Sequence, residues 1–133
     1  MKLISIDELK AFLKSGEFKF IPTQSKLCLP IIQRIHYKMK LGIDFESISV
    51  HESLIVNGHH RYISSLLAGI ETEIKPWAIP ADTLHYNWEN IELDENDWES
   101  IYTIGQHNKK DAQRTGRSIE IFDILIKSSP NNV

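Results

Sequence analysis

From Pro30 to Leu41 apolar residues recur every fourth position: Ile31, Ile35 and Met39 form a stripe that Ile32 widens. That spacing predicts a helix, with Pro30 suited to its first turn and Gly42 to its end. A second helix is predicted from Ile6 to Lys14, where Asp7 complements the positive end of the helix and Gly16 suits its stop. Before it, Lys2 to Ser5 reads as a short strand; after it, Phe18, Phe20 and Pro22 mark a short extended piece.

The middle of the chain changes period. Ile48 and Val50 alternate with serines, His51-Glu52-Ser53 punctuate, and Leu54-Ile55-Val56 is a run of the buried type. This predicts a β-hairpin whose second strand enters Asn57-Gly58 directly. A helix is expected from His59 to Leu67, closed by Gly69, and then a strand between Glu71 and Trp77 that leaves through Pro76 and Pro80. Further on, Asp94 to Ile104 reads as a helix with Asp94 as N-cap. His107 to Arg114 is polar and loop-like or helical, Ser118 to Ile126 has helical apolar spacing, and Ser128 to Val133 reads as a frayed tail. The expected class is α+β, a small mixed β-sheet surrounded by helices. One domain is expected over residues 1–133, with its core at about 20–80 and a helical C-terminal part at about 94–127.

Composition narrows the function classes. Of the 133 residues 41% are hydrophobic and 25% charged, an ordinary globular balance, and the net charge of −3 lacks the footprint of a non-specific nucleic-acid binder. Local basic patches stand at His59 to Arg61 and at Lys109 to Arg117. With one cysteine, Cys28, no disulfide can form within the chain. No signal peptide and no membrane span are expected, since charges interrupt the early apolar residues and no run of about 18 apolar residues occurs. These features predict a cytoplasmic protein.

The candidate chemistry lies at Asn57-Gly58-His59-His60-Arg61, a strand, a tight glycine turn, a basic cluster and a helix start. A helix N-terminus offers unpaired N–H groups and partial positive charge, Gly58 lets the backbone approach a ligand, and Arg61 can grip a phosphate with two parallel hydrogen bonds. A plain surface turn is the competing reading, since Asn-Gly is a common turn dipeptide. No metal is expected: His59 and His60 would point about 100° apart on a helix, and no partners stand at a familiar zinc spacing.

These residues resemble the second box of the ParB/sulfiredoxin superfamily, of the form Gly-x-x-Arg and in several members Asp-Gly-His-His-Arg. The resemblance covers roughly Phe20 to Pro80 and is closest around Gly58. It implies a small mixed sheet with helices around a pocket for CTP, ATP or ADP, with or without Mg2+. By position it assigns Asn57, Gly58, His59, His60 and Arg61 to nucleotide binding, and His59, His60 and Arg61 to catalysis. The departures matter. His59 stands where sulfiredoxins carry their reactive cysteine, and Asn57 replaces the acid of the free-serine kinases, so it supplies neither a base nor a charge for a metal. The chain is too short for the DNA-binding and dimerising parts of partition proteins.

Gln106-His107-Asn108 with Arg114 loosely matches a third box of the superfamily, although a solvated loop is the preferred reading there. Trp77, Trp88, Trp98 and Tyr62 are expected in packing roles, and Asp94, Glu95, Asp97 and Glu99 as a solvated acidic face. The leading functional expectation is a nucleotide-dependent phosphotransferase or hydrolase, for which Glu52, Glu8 and Asp7 are candidates as base or magnesium ligand. The alternative is a non-catalytic binding protein of the same fold, such as a bacterial antitoxin or immunity protein that caps a toxin. A nuclease ranks last, for want of clustered carboxylates.

Overall fold

The computed structural model describes residues 2–127. Helix α1, Ile6–Ser15, opens with a full capping box: the Ser5 hydroxyl accepts from the Glu8 N–H, and the Glu8 carboxylate accepts from the Ser5 N–H. Strand β1, Lys26–Cys28, runs directly into α2, Leu29–Lys40, which has its proline in the first turn. Strands β2, Ile48–His51, and β3, Leu54–Asn57, form the expected hairpin, with a register shift between Ser49 and Val50. Its tip holds Glu52 at φ 54°.

Gly58, at φ 104°, turns the chain from β3 into α3, His59–Ala68. Strand β4, Ile74–Pro76, then returns alongside β2 in parallel. The three-stranded sheet is therefore mixed, in the order β3-β2-β4. A separate parallel pair joins β1 to β5, Glu92–Asp94. Helix α4, Ile101–Thr115, is followed by a 3-10 turn, Ile119–Phe122, and α5, Asp123–Lys127.

The main core packs α1, α2 and α3 against the hairpin through Leu9, Ile32, Ile48, Ile55 and Ile63, each fully buried. Trp88 closes it, with its indole N–H on the Phe20 carbonyl and its ring against Phe18 and Tyr62. The Tyr62 hydroxyl accepts from the Lys19 and Phe20 N–H groups, so this ring packs and caps as a core tyrosine should. A second cluster, of Ile43, Ala112, Phe122 and Leu125, fastens the C-terminal helices to the end of α2.

Several expectations are corrected. Residues 2–5 form no strand; the Ile4 carbonyl is taken by the Gln33 side chain, and Ser5 is already a helix cap. The helix expected from Asp94 starts later. Asp94 ends β5 and its carboxylate accepts from the Asn96 N–H and the Trp98 indole, which holds a turn, and Ser100 is the N-cap. The single expected sheet is two sheets. Of the two forms expected for 107–114, loop-like or helical, the helical one is found, within α4, so the solvated loop preferred around Gln106-His107-Asn108 is set aside. Of the tryptophans expected in core or edge packing, Trp88 is core, while Trp77 and Trp98, 59% and 46% exposed, pack at the edge against Lys75 and His60. The tail expected at 128–133 lies outside the described residues. No helix among the described residues is long and apolar enough to cross a membrane.

Candidate functional site

The Gly58 turn is built as its sequence suggests, but its side chains part company. Gly58 occupies the left-handed region, and α3 begins without a side-chain cap. Arg61 folds back over the glycine: a Cβ there would lie 2.8 Å from Arg61 Nη2 and 3.3 Å from an Ile48 side-chain carbon. Arg61 Nη2 reaches the Ser47 carbonyl at 3.3 Å, while its Nε is buried without a protein partner.

The two histidines turn inward. The Thr23 N–H donates to His59 Nε2 and the Cys28 N–H donates to His60 Nε2, each at 2.9 Å. A backbone amide can only donate, so both Nε2 atoms are unprotonated acceptors and both rings are neutral. Burial pushes His59 down to about 4; burial, then the neighbouring His59, Arg61 and Arg34, pushes His60 down to about 4. Their visible work is structural: His59 ties α3 to the Thr23 segment, and His60 ties it to β1. Cys28, far from the box in sequence, is thus beside it in space. Its thiol is fully buried, donates to the Asn96 carbonyl, and is pushed up by burial.

Arg61 alone of the five box residues lines a cavity of about 670 Å³. The other walls come from Ile31, Arg34, Ile35 and Lys38 of α2, the segment Asp44-Phe45-Glu46, Glu99, and the α4 residues Ile104, His107, Asn108, Lys110, Asp111 and Arg114. Helical spacing explains this grouping: 31, 34, 35 and 38 share one face of α2, and 104, 107, 108 and 111 share one face of α4. The segment Gln106-His107-Asn108 with Arg114 therefore meets Arg61 of the Gly58 turn across the cavity through His107, Asn108 and Arg114, whereas Gln106 is exposed.

The electrostatics are largely internal. Asp97 takes both terminal nitrogens of Arg34, at 2.5 and 2.8 Å, and Glu99 accepts from Arg34 Nη2 at 2.6 Å. Lys38 pairs with Asp111 at 2.7 Å, and Arg114 with the same carboxylate at 3.0 Å. The expected solvated acidic face is thus corrected: the Asp97 side chain is fully buried and Glu99 largely so, because α2 carries Arg34 against them. Among the described residues Arg61 and Lys110 make no ion pair. Asn108 is 1% exposed, and among the described residues both its amide atoms lack a partner. Such groups cost about 1–3 kcal/mol each unless water or a ligand satisfies them.

The carboxylates singled out in the sequence lie elsewhere. Asp7 and Glu8 start α1, and Glu52 sits on the hairpin tip; the cavity carboxylates are Asp44, Glu46, Glu99 and Asp111. Their sequence signal is weak, since each needs a partner helix to bring it in. The described residues contain no group of three or more His, Cys, Asp or Glu placed to hold a metal ion.

Gly58→Ala tests the turn. The left-handed backbone costs a non-glycine about 1–2 kcal/mol, and the new methyl pushes the Arg61 guanidinium away while Ile48 resists. Chemical denaturation should register that loss of stability; an unchanged midpoint would mean that the turn relaxes freely.

Comparison of the chain with family models, with curated proteins and with solved structures finds no match in any of the three.

Proposed function

We propose that the chain is a nucleotide- or phosphate-binding protein of the ParB/sulfiredoxin type, with its ligand in the cavity that Arg61 lines. The observation that carries this reading is the meeting of Arg61, from the Gly58 turn, with Asn108 and Arg114 in one cavity. Two segments resembling separate superfamily boxes thereby share one space. At about 670 Å³ the cavity lies within the usual range of small-molecule sites, about 300–1,000 Å³. Ile31, Ile35, Phe45 and Ile104 supply apolar wall for a base or similar body.

Phosphate would lie against Arg61, the one residue of the α3 start that lines the cavity. The first N–H groups of that helix carry no side-chain cap, and the Arg61 guanidinium, without a carboxylate partner among the described residues, lies over the same turn. His59 and His60 act from behind by holding this helix end in place. A magnesium ion accompanying the phosphates would be held by Asp44 and Glu46, which make no ion pair among the described residues, together with phosphate oxygens and water. The ion would screen phosphate charge that the nearly balanced cavity lining leaves uncompensated.

The test is calorimetric titration of ATP, ADP and CTP, each with magnesium, into the wild type and Arg61→Ala. Micromolar binding is expected for the wild type, weakened about 10- to 100-fold in the variant, the effect of losing a hydrogen-bonded charge. No heat with any of the three would overturn the reading. It would redirect attention to a protein partner, for which Ile74, Trp77 and Leu84 offer exposed apolar surface.

A further inference from the structure

We propose that His107 is the proton acceptor of the cavity, positioned by Glu99, and that the chain hydrolyses a nucleoside triphosphate held there. This rests on the nucleotide reading above and adds the missing base. Of the six histidines in the chain, His107 is the one that lines the cavity. His59 and His60 have already committed their Nε2 lone pairs to backbone amides.

His107 sits on the second turn of α4 with its side chain 54% exposed, and its Nδ1 lies 3.4 Å from Glu99 Oε2. The other Glu99 oxygen, Oε1, accepts from Arg34 Nη2 at 2.6 Å. Arg34 is itself buried and gripped by Asp97, and Asp97 Oδ1 accepts the Glu99 N–H at 3.0 Å. The carboxylate is therefore oriented through both its side chain and its own backbone. A carboxylate beside Nδ1 favours the proton on that nitrogen and leaves Nε2 as the basic atom of the ring. This is a histidine with an orienting acid, and the acid is anchored by a buried guanidinium.

The step is attack by water. The water oxygen bonds to the terminal phosphorus as the bond from that phosphorus to the bridging oxygen breaks. The electron pair of the broken bond leaves on the nucleoside diphosphate. His107 Nε2 takes the proton from the water and passes it to bulk solvent, which its half-exposed ring can reach.

The experiment measures phosphate release from ATP and from CTP, with magnesium, by the full chain, His107→Ala and Glu99→Gln, beside calorimetric binding of the same nucleotides. In His107→Ala, release should fall about 100-fold or more, the usual contribution of a positioned base, and binding should change less than about threefold. Imidazole added to the buffer should restore part of the rate. Glu99→Gln should lower kcat about 10-fold with KM unchanged, which marks a positioning role rather than lost binding.

Nucleotide binding by the wild type without phosphate release, or release from His107→Ala at the wild-type rate, would overturn this inference and leave the binding reading intact. Absence of binding by the wild type would overturn the binding reading itself, and the hydrolysis with it.

Discussion

Acidification from pH 6.5 toward pH 4 is expected to destabilise the fold by several kcal/mol, because two buried histidines refuse protons that the unfolded chain accepts. His59 and His60 each have an ordinary value of 6.5 and stand at about 4 in the folded protein. Between those values the unfolded state binds more protons than the native one, so stability falls as the pH falls. Above 6.5 both states are neutral and the contribution is complete. At pH 5 it has dropped by about 2 kcal/mol per ring, and by about 3 kcal/mol once the pH is below 4. The two rings repel when charged, so the loss is not strictly additive. His36, pushed down by burial and then by Lys40, adds a loss of the same sign.

The carboxylates act lower on the scale. Burial pushes Asp111 up, yet the Lys38 and Arg114 contacts hold it below its ordinary 3.8, so its contribution is lost only at more acid pH. The window between 6.5 and 4 therefore belongs to the histidines. Urea denaturation at about pH 7.5, 6 and 5 should show a nearly constant midpoint down to about 6.5 and a steep decline below it. His60→Gln keeps an acceptor for the Cys28 N–H and removes the titration, so its decline should be shallower. A wild type equally stable at pH 5 and 7.5 would contradict the assignment.

Asp97→Ala is expected to cost about 3–5 kcal/mol, the range for breaking a buried ion pair by deleting one partner. The loss arises less from the missing attraction than from what remains. Arg34 is 6% exposed, and its guanidinium would keep only Glu99 as an acceptor. The Glu99 N–H would lose its acceptor as well. The midpoint of thermal unfolding should fall by roughly 10–20 degrees. Glu92→Ala is the fitting contrast. Its carboxylate stands 4.0 Å from Lys26, with the two side chains 74% and 45% exposed, so its removal should cost under about 1 kcal/mol. Equal effects of the two substitutions would mean that Asp97 is solvated in solution.

Local patterns carried much of the architecture. The hairpin, the Gly58 turn, α1, α2 and α3 were legible because each is specified within a few residues. A cap, an alternation of period two, a glycine that accepts positive φ or an apolar stripe is enough. The Gly58 position shows how little context such a signal needs, whereas the Ser5 cap was hidden in what reads as a strand. β1 and β5 were not legible, since three-residue strands have no period to read and their pairing joins Lys26–Cys28 to Glu92–Asp94 across most of the chain. The start of α4 was misplaced because Asp94 resembles an N-cap locally. Only its contacts with Asn96 and Trp98 show it holding a turn instead.

For the candidate site the division is sharper. By itself the sequence determined that Gly58 would turn and that a helix would start with His59-His60-Arg61; anion binding there was an expectation. Which of those side chains line the cavity was decided by tertiary structure. Backbone N–H groups from Thr23 and Cys28 claim the two histidines, and the cavity receives Arg61. Likewise nothing near Asp97 or Glu99 in sequence announces burial; Arg34, far earlier in the chain, draws them in. Charge alone reads as surface until a partner of opposite sign is packed against it. That partner comes from the docking of α2 against the 97–111 segment, through contacts that no local pattern encodes.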